Sequence, residues 1–357
     1  MATAVFIGAG CAGIISYFLT DYLISWAKRR QIFMAEVRDR DVHQDPTPRI
    51  GGIAIFAAVL LVVLAIVGLK PDLLSFSADK FLGIDRNLFG LIAAMIILAA
   101  VSLVDDFRGL SPIIRLIFQI IAASLVVYFG ISIPWISNPF GPHFILGNLA
   151  PLFVVVWLVV IANAVNWLDS IDGLSGGVAS ISLAVLYYLS ISPHVDQPAN
   201  ALLAIIVFGA IVGFLPHNFS KRKAFLGETG AILIGFLIGV IAIISGGKVA
   251  TAFLVLAIPF LDAIVVFFAR IFAHQSPFKA DQRHLPHKLM ALGMKRWQID
   301  LVYYVASLAL GLVALNTQTA GKITAGAVAL ILMAALVAYY SWALRKKAAT
   351  LPEPQNT

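Results

Sequence analysis

Cysteine is nearly absent. Cys11 stands alone among 357 residues, which rules out an internal disulfide and a thiolate metal cluster and leaves that side chain a lipid-facing or packing role. Charge is scarce too, at 12% of residues against 61% apolar, and mean hydropathy is strongly positive. A soluble chain of this size would have nowhere to put so much apolar surface, so a water-soluble protein is excluded and an integral membrane protein is implied. Long polar stretches are few, roughly 27–49, 70–87 and 272–298, which leaves no room for an appended soluble domain. The ten-residue alternation of a membrane barrel is also missing, so the fold class is an all-α, polytopic transmembrane helix bundle. Residues 1–347 read as a single transmembrane catalytic domain, and 348–357, with two prolines and no apolar pattern, as a disordered polar tail.

A hydrocarbon core needs about 20 helical residues per crossing, and eleven apolar runs approach that length. They cover 3–26, 50–69, 88–104, 112–131, 148–162, 173–191, 199–215, 229–246, 249–271, 299–317 and 323–343. No basic residue precedes the first run and Lys28, Arg29 and Arg30 follow it, the pattern of a retained span and not of a cleaved leader. With segments after odd-numbered spans inside, roughly 20 of the 25 basic residues are cytoplasmic, including Lys221-Arg222-Lys223 and Arg345-Lys346-Lys347. This expects the N-terminus outside and the C-terminus in the cytoplasm. The net charge of +7 is then a topology signal and an attraction to anionic lipid, not a sign of nucleic-acid binding. Gly235 and Gly239, four apart in the eighth run, suggest local helix packing over a dimer seam.

Four polar clusters close these runs, all on the expected cytoplasmic side, where charged groups cost several kcal/mol unless paired or hydrated. Asp105 and Asp106 end the third. Neighbours on a helix diverge by about 100°, so two carboxylates can serve one pocket only in different jobs, such as metal ligand and proton acceptor. The bland alternative is a solvated helix end. In the second cluster Asn163, Asn166, Asp169 and Asp172 recur at every third position, which would align amides and carboxylates down one helical face. Oxygen ligands lining a wet cavity suit a hard cation that keeps some water, Mg²⁺ before Zn²⁺. The third, around Asn218, Phe225 and Glu228, has Gly227 and Gly230 flanking the carboxylate, allowing close backbone approach at a helix N-terminus that attracts phosphate. A glycine turn with a favourably placed Glu explains it equally well. The fourth, Asp281 to Lys288, packs Arg283, His284 and His287 into an anion clamp or, alternatively, an interfacial loop.

Taken in order, these stretches resemble the polyprenyl-phosphate N-acetylhexosamine-1-phosphate transferases, over roughly residues 38–293. The likeness rests on Arg38 to Gly52 with Thr47-Pro48-Arg49 and Gly51-Gly52, Asp105-Asp106 followed by Arg115 and Gln119, Asn163 to Leu174, Phe225 to Glu228, and Arg283 to His287. It implies an enzyme that moves a phosphosugar from a UDP-sugar to undecaprenyl or another polyprenyl phosphate at the cytoplasmic membrane face. The reaction would depend on Mg²⁺, or Mn²⁺ in its place, release UMP, and initiate a cell-envelope glycan such as lipopolysaccharide or another polysaccharide. The implied roles are Asp105 as proton acceptor beside the lipid phosphate, with Asp106 also catalytic, and Asp106, Asp169 and Glu228 around the metal. Asn163, Asn166, Asp172 and Asn218 would meet substrate polar groups or orient those that do. Phe225 would stack on uracil, and Arg115, Arg283, His284 and His287 would clamp phosphates. The resemblance also implies a homodimer.

Four positions depart from the pattern: Glu228 where Asp is usual, Ala231 for Ser, Ser170 for Gly, and Pro286 inside the histidine run. Glu extends its charge by roughly 1.5 Å, which Mg²⁺ geometry near 2.1 Å must absorb by repacking. The histidine loop is more similar to the branch that uses simple UDP-N-acetylhexosamines than to the muramyl-pentapeptide branch, so UDP-N-acetylglucosamine is the expected donor. Two other readings remain. One is a transporter, against which stand the missing inverted repeat and the crowding of acids at one face. The other is a catalytically silent homologue, suggested by Glu228 and Pro286.

Overall fold

The computed structural model describes residues 2–34, 47–136, 138, 141–219, 223–245, 249–257, 260–262, 264, 271 and 285–349. Their helices are α1 (Ala2–Arg30), α2 (Gly51–Leu69), α3 (Arg86–Arg108), α4 (Pro112–Tyr128), α5 (Ala150–Leu168), α6 (Leu174–Ser190), α7 (Pro198–Phe219), α8 (Gly227–Ile244), α9 (Val249–Val255), α10 (Leu285–Ala291), α11 (Arg296–Asn316) and α12 (Thr319–Ala349). The strands, two residues each, pair as two small antiparallel hairpins, β1 (Lys80–Phe81) with β2 (Ile84–Asp85) and β3 (Trp135–Ile136) with β4 (Phe144–Ile145). The protein is thus an all-helical, multi-pass membrane protein.

Eight of these helices are long and apolar enough to cross a membrane: α1, α2, α3, α5, α7, α8, α11 and α12. Three of the eleven runs expected to cross are not among these eight. The runs 112–131 and 173–191 form α4 and α6, only 17 residues each. Backbone geometry sets their limits, because Gly130 (φ +112°) stops α4 short and Gly173 (φ +84°) delays the start of α6. The run 249–271 begins with α9, and most of the rest lies outside the described residues. So do residues 350–357 of the expected tail.

The bundle is organised around α8. Every residue from Thr229 to Ile243 is buried, because α2, α3, α5, α6, α7 and α9 all pack against it. A helix that is apolar all round belongs in the middle of an assembly. Small residues let its neighbours come close. A Cβ on Gly235 would lie 2.7 Å from Ala162 Cα, and the Trp157 indole donates to Gly239 O at 3.1 Å, so the glycine pair serves the α5–α8 contact within the chain. Outer helices instead expose large apolar side chains, among them Phe6, Ile7 and Phe18 on α1 and Ile113, Ile117 and Ile121 on α4. Such a belt is what lipid requires and water forbids. Cys11 is exposed on the same outer surface of α1.

The closest approach matters most for the site. A Cβ on Gly52 would sit 2.1 Å from Gly230 N, so α2 and α8 touch backbone to backbone at their first turns. Backbone bonds from Gly51 N to Phe225 O (3.0 Å) and from Gly52 N to Leu226 O (2.8 Å) tie the same two segments. We expect Gly52→Ala to destabilise the protein by about 1–3 kcal/mol or more through overpacking, since backbone cannot swing aside as a side chain does. Unfolding of the purified protein in detergent measures this, and a wild-type transition would refute the contact.

Candidate active site

The C-terminal end of α3, the N-terminal end of α4, the C-terminal end of α5 and the N-terminal end of α8 meet at one end of the bundle. Asp105 and Asp106 occupy the last turn of α3, closed by Gly109 (φ +69°), whose N–H reaches Asp105 O. As adjacent helical residues must, they turn to different partners. The buried Asp105 carboxylate accepts from the N–H of Leu110 and, at 3.4 Å, from Arg115 on α4. Asp106, also buried, crosses to α8: Oδ1 accepts from Glu228 N (2.9 Å), and Oδ2 from Thr229 N (3.0 Å) and Thr229 Oγ1 (2.7 Å).

Asp106 is therefore the anion at the N-terminus of α8, satisfying amides that would otherwise lack partners. The sequence expected phosphate there; the chain supplies its own carboxylate. Gly227 makes room, combining φ +77° with an approach at which a Cβ would lie 2.8 Å from Asp106 Oδ2. With α8 anchored in this way, Glu228 faces α4 and α5. Its Oε1 accepts from Arg115 at 2.6 Å and its Oε2 from Asn166 Nδ2 at 2.9 Å.

The Asn163–Asp172 stripe is not one helical face. Helix α5 stops at Leu168, Asp169 takes φ −72°, ψ +48°, and a turn leads through Gly173 into α6. Its members consequently point to different neighbours. Asn163 donates to Gln119 Oε1 (2.6 Å) and Val159 O (2.8 Å), while Asn166 meets Glu228. Asp169 accepts from Ser175 Oγ (2.6 Å), and Asp172 pairs with Arg296 of α11 (3.3 Å). Asn218, buried at the end of α7, accepts from Gly173 N (2.6 Å) and donates to Ala224 O (3.0 Å), so its amide shapes the backbone at both ends. Phe225 is half-buried, and its segment pairs with residue 49 by a parallel β-bridge.

His287 sits on α10, whose first amide, Leu285 N, is held by Asp262 at 2.8 Å, with Pro286 tolerated in the first turn. Arg283 and His284 lie outside the described residues. Sequence reading missed Arg296, Ser175, Thr229 and Tyr304, which donates to Gly173 O at 2.6 Å. Three of them act across more than a hundred residues of sequence, and Ser175 reaches back six residues around the turn to Asp169.

The carboxylates act on one another. Asp169 keeps some contact with solvent, yet withdrawal from water raises its pKa from 3.8 to about 7; Asp172, Glu228 and Asp106 push it up further, and the Ser175 hydroxyl opposes them. This crowding of hard oxygen donors is what a divalent cation would relieve. Among the described residues no three His, Cys, Asp or Glu side chains gather around one point. Mg²⁺ does not require that, because it is commonly held by one or two carboxylates, waters and substrate phosphates. Of the three carboxylates expected around the metal, Asp169 and Glu228 are the two that keep some contact with solvent, although each Glu228 oxygen already accepts a hydrogen bond. Asp106 has both oxygens committed to α8, and the Arg115 guanidinium, expected to clamp phosphate, is held between Glu228 and Asp105.

Residues 88–246, which carry Asp105 to Glu228, match the model of glycosyl transferase family 4. A phospho-N-acetylmuramoyl-pentapeptide-transferase of Streptococcus uberis is 32% identical over 252 residues, 65% of this chain and 71% of that protein. The chain belongs to this family, that of the polyprenyl-phosphate N-acetylhexosamine-1-phosphate transferases. Other family members align over more of its length. The decaprenyl-phosphate N-acetylglucosaminephosphotransferase of Mycobacterium leprae is 28% identical over 91% of this chain and 88% of its own. A probable undecaprenyl-phosphate N-acetylglucosaminyl 1-phosphate transferase of Bacillus subtilis is 29% identical over 75% of this chain and 72% of its own.

Two outcomes follow. Asp106→Ala should cost about 1–3 kcal/mol, the range for leaving buried donors without a partner, and Thr229→Val less, about 0.5–1.5 kcal/mol. Equal unfolding midpoints for Asp106→Ala and wild type in detergent would remove the capping role. The second concerns pH. A folded-state pKa near 7 against 3.8 means that the folded, metal-free protein binds more protons than the unfolded chain between these values. Asp169 therefore contributes stability that is fully present below pH 3.8 and is lost as pH rises towards 7. Asp169→Asn should flatten that decline in a melting-temperature series; an unchanged slope would contradict the burial of Asp169.

Proposed function

We propose that this chain transfers N-acetylhexosamine-1-phosphate, most simply N-acetylglucosamine-1-phosphate, from its UDP-sugar to a polyprenyl phosphate, releasing UMP. The observation that carries the reading is the convergence of Asp105, Asp106, Asp169 and Glu228, from three separate segments, at one end of a membrane bundle of this family. Names of relatives point the same way, and the N-acetylglucosamine-using relative of M. leprae aligns over 91% of the chain. Helix-end carboxylates suit a headgroup-level reaction better than a transport path, which would hold its ionisable groups near mid-membrane. We assign that end of the bundle to the cytoplasmic face, where the basic segments fall and a nucleotide sugar arrives.

In this scheme an oxygen of the lipid phosphate attacks the β-phosphorus of the UDP-sugar. The bond from that phosphorus to the bridging oxygen breaks, the oxygen leaves on UMP, and lipid-diphosphate-sugar remains. Asp105, oriented by the Leu110 amide and Arg115, takes any proton left on the attacking phosphate. That contribution is modest, since a phosphate monoester with a second pKa of about 6 is mostly ionised at neutral pH. Asp169 and Glu228 would hold Mg²⁺ or Mn²⁺, Asn166 and Arg115 fix the Glu228 carboxylate, and Asp106 positions it through α8. When bound, the ion supplies charge neutralisation on the diphosphate, a leading need in phosphoryl transfer. Phe225 offers a ring for uracil, and Arg283, His284 and His287 remain proposed phosphate ligands.

The test is UMP release from purified protein, undecaprenyl phosphate and a UDP-sugar panel, with and without Mg²⁺. Activity with UDP-N-acetylglucosamine that chelation abolishes is expected; no release from any donor would reject the assignment. Asp105→Asn should retain more activity than Glu228→Gln. Complete loss in both, with Mg²⁺ binding intact in Asp105→Asn, would instead make Asp105 an obligatory base or a nucleophile.

A further inference from the structure

Among the described residues, the half-buried arginines other than Arg49 each find an oxygen. Arg86 reaches Tyr128 O at 3.1 Å and Arg296 reaches Asp172, while Arg115 is shared by Asp105 and Glu228. Arg49 differs. It is half-buried, and among the described residues no hydrogen bond or ion pair reaches its guanidinium.

Its main chain, by contrast, is firmly held. Arg49 N donates to Phe33 O at 2.8 Å, Phe225 N donates to Pro48 O at 2.9 Å, and Arg49 and Phe225 form the parallel bridge. Two residues on, Gly51 begins α2; three residues beyond Phe225 stands Glu228. Arg49 is thus fixed where the first turns of α2 and α8 touch, and its charge is felt by the Asp106 carboxylate. Asp106 is not its partner, however, because both oxygens of that carboxylate are turned to the start of α8.

A guanidinium partly withdrawn from water, and bonded to no group among the described residues, is open to an arriving anion that would pair its charge. Its planar fork of donors matches phosphate oxygens. The nearby N-terminus of α2 adds partial positive charge of the same sign, whereas that of α8 is already offset by Asp106. We propose that Arg49 binds a phosphate group of the substrates, a cation that, unlike Arg115, is paired with no carboxylate among the described residues. The proposal deepens the transferase reading and rests on it for the source of the phosphate, either the polyprenyl phosphate or the diphosphate of the nucleotide sugar.

Steady-state kinetics of the full-length protein, varying each substrate in turn, separate the two sources. Arg49→Ala should raise KM for one of them by about 10–100-fold, the worth of one or two charge-assisted hydrogen bonds, with kcat much less affected. Arg49→Lys should recover part of that loss. The backbone bridge does not need the side chain, so the variant should unfold as wild type does. KM values for both substrates within about twofold of wild type would overturn the proposal while leaving the transferase reading intact, as would a fall in kcat alone. Should the wild-type protein turn over no donor, the transferase reading fails separately. Calorimetry with inorganic pyrophosphate then decides: weaker binding to Arg49→Ala upholds a phosphate site, and equal binding refutes it.

Discussion

The carboxylate of Asp106 closing the first turn of α8 is the interaction on which the site depends. It joins the end of one helix to the start of another across more than a hundred residues of sequence and leaves neither partner buried and unsatisfied. Removing it would expose amides at the most deeply packed helix of the bundle and loosen the segment that carries Glu228. The bond therefore sets both an energy and a position. Glu228 can meet Arg115 and Asn166 because the turn beneath it is already tied down.

The same logic recurs around this end of the molecule. Asn218 spends its amide on Gly173 and Ala224, Tyr304 spends its hydroxyl on Gly173 O, and the segment before α2 is stitched to Phe225 and Leu226 by main-chain bonds. Each bond stabilises a non-helical stretch where a span begins or ends. Irregular backbone at membrane depth needs such internal partners, since lipid offers none. Many polar side chains that looked available for substrate are thus committed to shaping the loops, and fewer groups remain to touch a ligand.

Much of this was legible in advance, and the reasons are local. The apolar runs announced a membrane bundle because each helix must cover its own length in lipid, and the ordered motifs from Asp105 to Glu228 carried the family. The divergence of Asp105 and Asp106 followed from helical geometry alone. What escaped was tertiary. The three-residue spacing from Asn163 to Asp172 suggested a continuous face, but Asp169 and Gly173 turn the chain out of the helix halfway along it. The pairing of Arg115 with Glu228 spans 113 residues, and no sequence pattern says that a cation expected to meet phosphate also meets a carboxylate of the chain itself.

One dimension of the bundle reaches beyond the protein itself. Helix α4, 17 residues long and studded on its outer side with isoleucines, measures only about 26 Å at 1.5 Å per residue, short of a hydrocarbon layer near 30 Å. It also carries Arg115, the residue that grips both Asp105 and Glu228. Were it to cross, the bilayer beside it would thin or its flanking side chains would reach out to the interface, each at a cost of fractions of a kcal/mol per ångström. The length of the surrounding acyl chains would then bear on the helix whose arginine bridges two of the carboxylates.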